Sequence, residues 1–108
     1  MRRGELYPAA ARGAYTGKPR PVVIVQDDRF DATASITVCP LTTNALDAPL
    51  VRMRIEPDAV NGLDSPSSLM VDRLTTIPRA NLGGRLVHLT DEDMLKLGGA
   101  MVVFLGLA

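Results

Sequence analysis

Short runs of β-branched and other apolar residues, separated by polar turn residues, make up most of the chain. Two such runs, at residues 22–25 and 35–38, predict neighbouring strands of one sheet. Pro40 should end the second strand because proline has no backbone N–H to give to a ladder. The connection at 26–33 is polar around Phe30, which we expect to fill the core.

Further short segments have the same character and predict additional strands. The first should stop at Pro8, and a loop over 9–19 should follow it. A single helical turn is expected at 78–82, because Gly83-Gly84 would break a longer helix. The additional predicted strands cover residues 3–8, 50–55, 68–71, 74–77 and 85–89.

Residues 50–55 alternate strictly between apolar and charged side chains, which indicates a strand with one face in water. Arg52 and Arg54 then lie on the same side of this strand. Such a basic stripe is more typical of a solvated face than of a binding surface.

Only the C-terminal segment has helical spacing. Thr90 is a good N-cap, and the acidic residues 91–93 complement the positive end of the helix dipole. The adjacent Gly98 and Gly99 suggest close approach by another backbone, from either the sheet or a second copy of the chain. One face of the predicted helix carries Met94, Leu97, Gly98, Met101 and Leu105.

These elements predict an α+β, mainly β fold, in which a small antiparallel sheet curves into a partly open SH3-like barrel closed by the C-terminal helix. With 108 residues, the chain should form one domain over 1–108.

Composition excludes several functions. Two Tyr, two Phe and no Trp are too few for a row of aromatic side chains stacked on bases. The single cysteine, Cys39, should be a small buried hydrophobic residue, and no Cys/His spacing resembles a metal site. We expect no cofactor. No segment approaches the roughly 18 apolar residues of a membrane span, so a cytoplasmic protein is expected.

Charge is balanced over the whole chain but not along it. Twelve basic residues match twelve acidic ones, yet residues 1–20 hold five basic side chains against Glu5 alone. A local basic surface that meets phosphate is therefore compatible with the sequence.

The predicted strands bring a cation and several hydroxyl or amide groups to one sheet edge. Arg20 begins the first central strand, and residues 42–44 (Thr-Thr-Asn) close the second. With one histidine, His88, the usual histidine pair for phosphate chemistry is missing. RNA, however, carries its own nucleophile, the 2′-hydroxyl, so a protein need only align it and stabilise the developing charge. Arg20 and Thr42 are placed to do this.

Four segments, in order and at compatible spacing, resemble the MazF/PemK toxin family over nearly the whole chain. They are Arg3-Gly4-Glu5-Leu6-Tyr7, the run from Arg20-Pro21-Val22-Val23 to Asp28, Pro40-Leu41-Thr42-Thr43-Asn44, and Asp72-Arg73-Leu74-Thr75-Thr76-Ile77 before the capped helix.

The resemblance implies a metal-independent, sequence-selective endoribonuclease of a type II toxin–antitoxin pair, folded like CcdB and acting as a homodimer. It implies single-stranded RNA as substrate, products with 2′,3′-cyclic phosphate and 5′-hydroxyl ends, and a cognate antitoxin whose acidic tail covers the RNA groove. Arg20 and Thr42 fall on the family's catalytic pair. The RNA-binding residues implied are Lys18, Gln26, Thr43, Asn44, Asp72 and Arg73.

Two departures from the family bear on RNA selectivity. Many members carry Gln-Ile-Arg-Thr where this chain has residues 73–76 (Arg-Leu-Thr-Thr), so Arg73 either substitutes for an arginine missing at position 75 or does not. The loop 9–19 also differs from the common pattern.

Alternatives remain open at this level. Thr42 and Thr43 could be turn residues that bond their own backbone, and Asp72 and Arg73 could simply pair with each other. A gyrase-poisoning relative of CcdB is a second function, although the C-terminus lacks the aromatic residue expected for that contact. A peptide-binding SH3-like module is a third.

Overall fold

A computed structural model describes residues 1–10, 19–84 and 87–107. Seven strands and one helix are present in these residues. The helix, α1, spans Asp91–Phe104. The strands are β1 (Glu5–Ala9), β2 (Arg20–Ile24), β3 (Ser35–Thr42), β4 (Arg52–Ile55), β5 (Ser67–Met70), β6 (Thr75–Pro78) and β7 (Val87–His88).

All strand pairs are antiparallel, and the sheet has the order β4-β5-β3-β2-β1-β7. β3 organises the sheet because one of its edges serves two partners in succession. Its first half, Ser35 to Val38, pairs with β6, and its end, Leu41 and Thr42, pairs with β5. This change of partner curls the sheet, and α1 follows the last strand. The predicted partly open barrel with a C-terminal helix is confirmed.

The two faces of the central strands lie in different apolar clusters, because successive strand residues point to opposite faces. The larger cluster includes Leu6, Val23, Cys39, Leu69 and, from the helix, Leu97. Burial raises the pKa of the Cys39 thiol to about 12, which confirms it as an inert core residue. The smaller cluster contains Tyr7, Val22, Ile24, Ile36 and Val38.

Two predicted strand ends are wrong, both at prolines. β3 continues through Pro40 to Thr42, and β1 continues through Pro8 to Ala9. The Val25 N–H donates to the Thr37 carbonyl (3.2 Å), so odd-numbered positions of β2 make the hydrogen-bonded pairs with β3. Pro40 lies opposite Val22, an even position, and its nitrogen therefore points away from β2. The nitrogen lies on the opposite edge of β3, between the residues that pair with β6 (up to Val38) and those that pair with β5 (from Leu41). No ladder donor is needed at that point.

The prediction that Phe30 fills the core is also wrong. Phe30 ends a 3₁₀ turn over Asp28–Phe30 and is 55% exposed, with the Arg29 guanidinium 5.7 Å from its ring centroid. The turn is fixed at the surface because the Asp27 side chain accepts from the Arg29 N–H and the Gln26 amide donates to the Phe30 carbonyl. Aliphatic side chains fill the core in its place.

The helical turn after β6 and the N-cap of α1 are confirmed, whereas β4 begins at Arg52 rather than at residue 50 and β5 ends at Met70 rather than at residue 71. The last predicted strand, 85–89, is present as β7, and its first two residues lie outside the described ranges. A 3₁₀ turn occupies Arg79–Asn81, and Val71–Arg73 forms another between β5 and β6. Thr90 caps α1 by accepting from the Asp93 N–H (3.1 Å). The predicted loop over 9–19 lies mostly outside the described residues, since only Ala9, in β1, and residues 10 and 19 are described.

The helical glycines do not face a close backbone from the sheet. A Cβ built on Gly98 would have the Arg3 side chain as its nearest neighbour at 3.6 Å, and one built on Gly99 would meet nothing within 4 Å among the described residues. Packing against the sheet is therefore the wrong explanation for this pair. No helix in the described ranges has the length and hydrophobicity to cross a bilayer.

Candidate active site

A small pocket opens where β2 and β3 separate. The paired register between these strands ends with Val22 opposite Pro40. The next pair, Pro21 with Leu41, falls on an odd position and would be hydrogen-bonded, but Pro21 has no N–H to donate. The ladder therefore stops two residues short of the strand ends, and the gap becomes accessible to a ligand.

Arg20 and Thr42 line this pocket together. Continuing the register by two residues brings them opposite each other, and the pocket of about 60 Å³ contains both. Arg20 is exposed, whereas Thr42 is only 7% exposed. The structure thus brings together the two residues that the sequence selected, a cation at the mouth and a hydroxyl at the wall. The other lining residues are Pro21, Leu41, Thr43 and Ser67.

The Thr42 hydroxyl already has one partner. Its oxygen accepts from the Asn44 N–H at 3.1 Å, which is the local turn contact that the sequence left open. A hydroxyl that accepts one bond still has its own hydrogen to donate, so this contact orients the group without using its donor. Thr43 and Asn44 follow as exposed residues, and Thr43 also lines the pocket.

Gln26 lies at the other end of β2 and uses its whole side-chain amide inside the protein. Its nitrogen donates to the Phe30 carbonyl (2.8 Å) and to Thr33 Oγ1 (2.9 Å), and its oxygen accepts from the Thr37 N–H (3.1 Å). These bonds hold the connection between β2 and β3. Lys18 lies outside the described residues.

Asp72 and Arg73 do not pair with each other. Asp72 instead accepts two bonds from Arg52, at 2.8 Å from Nε and 3.2 Å from Nη2, and this contact holds the pKa of the Asp72 carboxyl below 3.8. The Arg52 side chain is only 9% exposed, so it does not form the solvated stripe with Arg54 that was predicted. Arg73 is exposed and is not among the residues that line the pocket.

The sequence analysis did not predict that β5 contributes a residue, Ser68, beside Thr42. Thr42 is paired directly with Ser68, and Ser68 in turn with Arg54 of β4. Directly opposed residues share a face of the sheet, so the polar row from Arg20 through Thr42 and Ser68 ends at a second arginine. The alternation of residues 50–55 signalled that Arg54 faces outward, but pairing over this sequence distance has no local signature.

The chain belongs to the family of PemK-like, MazF-like toxins of type II toxin–antitoxin systems, whose sequence profile matches residues 2–105. This places the curved sheet, the C-terminal helix and the Arg20–Thr42 pocket in a known class of bacterial toxin.

Among individual proteins, the chain is similar to the probable endoribonuclease MazF of Mycolicibacterium smegmatis, with 61% identity over 108 residues, covering 100% of this chain and 99% of that protein. The Mycobacterium tuberculosis toxin MazF-mt6 superposes with a TM-score of 0.77 at 27% identity, covering 92% of this chain and 93% of that one. A mycobacterial endoribonuclease, solved in complex with its cognate antitoxin, gives a TM-score of 0.80 at 26% identity and covers 100% and 97% of the two chains.

Proposed function

We propose that this chain is a sequence-selective, metal-independent endoribonuclease toxin that cleaves single-stranded RNA. The observation that carries the proposal is the single pocket lined by Arg20 and Thr42, in a chain 61% identical over its length to a probable endoribonuclease. On this proposal, residues 1–108 form one toxin domain that acts in the cytoplasm.

The reaction is an in-line transfer at phosphorus. The ribose 2′-oxygen forms a bond to the adjacent phosphorus as the bond to the 5′-oxygen breaks. The 2′-hydroxyl proton is lost to solvent, and the departing 5′-oxygen takes up a proton. The products are a 2′,3′-cyclic phosphate and a 5′-hydroxyl.

Arg20 and Thr42 act on the charge that grows on the phosphoryl oxygens. The guanidinium of Arg20 offers a planar pair of N–H donors that suits two oxygens of one phosphate. The Thr42 hydroxyl donates a hydrogen bond from the pocket wall, with its rotamer set by the Asn44 N–H. The Thr42 donor is preorganised by this contact, and Arg20 lies at the mouth of the same pocket, so both can stabilise the charge of the transition state.

A second copy of the chain is the partner that best fits the outer face of α1. This face carries large exposed apolar residues, and Leu95 is 78% exposed. A groove of about 730 Å³ runs along it and is apolar except for Arg3 and Asp91. In a two-fold contact, Arg3 of one protomer would meet Asp91 of the partner subunit, and the open space at Gly99 would admit the facing helix. The other exposed apolar residues that line this groove are Val102, Leu105 and Leu107.

The second protein partner is a cognate antitoxin. One structural relative is described in complex with its cognate antitoxin, and others, from Deinococcus radiodurans, are MazE–MazF complexes at 17% identity. An acidic antitoxin segment that covered Arg20 and the polar row would compete directly with RNA phosphate.

The decisive experiment is cleavage of a long single-stranded RNA in excess EDTA, followed by analysis of the fragment ends. We expect cleavage to persist and to leave cyclic phosphate and 5′-hydroxyl ends. Arg20→Ala and Thr42→Ala should each slow it at least a hundredfold, because a lost transition-state donor typically costs about that much.

Three results would contradict the proposal. Loss of cleavage on chelation would remove the metal-independent mechanism, and full activity in both variants would remove the site. Inhibition of DNA gyrase by a protein that leaves RNA intact would favour the CcdB-like alternative.

A further inference from the structure

The polar row on the sheet extends beyond the Arg20–Thr42 pocket to Arg54. The strand register pairs Thr42 with Ser68 and Ser68 with Arg54, so these three residues share one face of three neighbouring strands. Two strand spacings, about 10 Å, separate the backbone of Arg54 from that of Thr42. Ser68 stands between the two residues, and Arg54 is not among the residues that line the Arg20–Thr42 pocket, so it lies where a neighbouring nucleotide would pass.

A second pocket, larger than the first, adjoins Arg54. Its volume is about 270 Å³, and it lies between β4 and the segment 45–49. This segment continues directly from Thr42 through Thr43 and Asn44, so the two pockets are joined along the chain that leaves β3. The lining residues are Ala45, Leu46, Asp47, Ala48, Pro49, Arg52, Arg54 and Ser68.

Arg54 is the arginine of this pocket that is available to a ligand. Arg52 is held by Asp72 in a two-bond contact and is 9% exposed, whereas the Arg54 side chain is 58% exposed. Arg54 contacts Glu56 at 3.1 Å, but both side chains are open to solvent, and such a pair is weak enough to exchange for a phosphate.

We propose that Arg54 and this second pocket form a nucleotide subsite beside the scissile phosphate. Arg54 binds the phosphate of a neighbouring nucleotide, and the pocket takes its base. Asp47 is the only carboxylate among the lining residues, and it favours a base edge that carries N–H donors over a second phosphate. This inference rests on the proposed function, since it assumes that RNA crosses the row at Thr42.

The chain offers a matched control for Arg54. Arg29 is also exposed (80%) and pairs at 3.0 Å with an acid two residues away, Asp27. It lies in the 3₁₀ turn at the other end of β2, away from both pockets. Arg29→Ala removes the same formal charge as Arg54→Ala. A difference in RNA binding between the two variants therefore shows the effect of where the arginine lies, not of the net charge.

The test has a binding arm and a cleavage arm. Binding is measured over a range of salt concentrations with an RNA oligonucleotide carrying a 2′-deoxy substitution at the mapped cleavage position, which removes the nucleophile. Arg54→Ala and Arg54→Gln should weaken binding about tenfold at low salt and lower the slope of log K against log salt by about 0.7, the value for one phosphate contact on a single strand. Arg29→Ala should behave like wild type.

Cleavage is measured on oligonucleotides lengthened one nucleotide at a time on either side of the cut. In the wild type, kcat/KM should rise at the length that first reaches the subsite, and the Arg54 variants should lose most of this rise through a higher KM. An unchanged salt slope in both Arg54 variants, or equal losses in Arg54→Ala and Arg29→Ala, would overturn the subsite. Failure of the wild type to cleave any RNA would instead overturn the proposed function. Binding would then be measured on the unsubstituted RNA, which needs no protection from cleavage, and the salt slopes of the Arg54 variants would still test the contact.

Discussion

The Thr42 hydroxyl accepts a hydrogen bond from the Asn44 N–H, and on the proposed function it also donates one to the reacting phosphate. Two substitutions separate these roles. Thr42→Val keeps the shape of the side chain and removes the hydroxyl. Thr42→Ser keeps the hydroxyl and removes a methyl group. Because the residue is 7% exposed, both changes act inside the protein rather than in solvent.

The two variants should lose similar stability. Valine leaves the Asn44 N–H without its 3.1 Å acceptor, and a neutral hydrogen bond contributes about 1 kcal/mol net. Serine loses one buried methyl group, which is worth about 0.8 kcal/mol. For a domain of this size, either loss lowers Tm by about 4 to 8 °C.

Their activities should differ strongly. A donor aimed at developing charge is worth about 2.7 to 4 kcal/mol in the transition state, so Thr42→Val should cleave about 100 to 1,000 times more slowly than wild type. Thr42→Ser should stay within about tenfold, because its hydroxyl can still donate. The assay is single-turnover cleavage of a labelled RNA with enzyme in excess, beside thermal melts of all three proteins.

Two results would refute the donor role of the Thr42 hydroxyl. If Thr42→Val cleaves within tenfold of wild type while its Tm falls as expected, the hydroxyl is a turn residue and not a catalytic one. If valine and serine slow the reaction equally, the retained hydroxyl of serine gives no advantage, and the donor role of Thr42 is refuted.

Two further predictions concern the framework that supports the site. Leu97→Ala, in the fully buried part of α1, should lower the free energy of unfolding by about 3 kcal/mol in urea titrations. Lys96→Ala, at an exposed position of the same helix outside the apolar groove, should change it by less than about 0.5 kcal/mol; equal effects would mean that α1 does not pack as described. Arg52 lowers the pKa of Asp72, so their pair stabilises the fold above pH about 4 and loses this effect as pH falls through the lowered pKa. The difference in urea midpoint between wild type and Asp72→Asn should therefore be larger at pH 7 than at pH 3, and a constant difference would contradict the assignment.

Features encoded within a few residues could be predicted from the sequence. The N-cap at Thr90, the 3₁₀ turn at Arg79–Asn81 and the burial of Cys39 each depend on adjacent side chains or on one apolar run. The same holds for Arg20 and Thr42, because both lie at strand ends that the turn residues mark. Their placement in one pocket follows from the pairing of β2 with β3, which are consecutive strands joined by a short connection.

The errors arose where the structure depends on register. A proline ends a strand only if a partner needs its missing N–H. The Pro40 nitrogen points away from β2, and Pro8 stays in the sheet through its carbonyl, which accepts from the Gly83 N–H (2.8 Å). The direction of that N–H is set by which residue lies opposite, a fact that no local pattern contains. The burial of Arg52 could not be predicted for the same reason. Its partner, Asp72, is twenty residues away and is placed beside it by the 3₁₀ turn after β5.

The prolines also explain why a site forms at this end of the sheet. Pro21 lacks the N–H that would form the next hydrogen-bonded pair between β2 and β3, with Leu41. Pro40 lies opposite Val22, in a pair that needs no hydrogen bond, and therefore does not interrupt the ladder. The gap therefore opens beside Thr42 and not deeper in the sheet, where Val22 and Val23 remain packed in the two apolar clusters. Arg20 and Thr42 belong to neither cluster, so both can be selected for chemistry while the residues two positions away hold the fold. On the proposed function, catalysis and stability therefore depend on different positions of the same two strands.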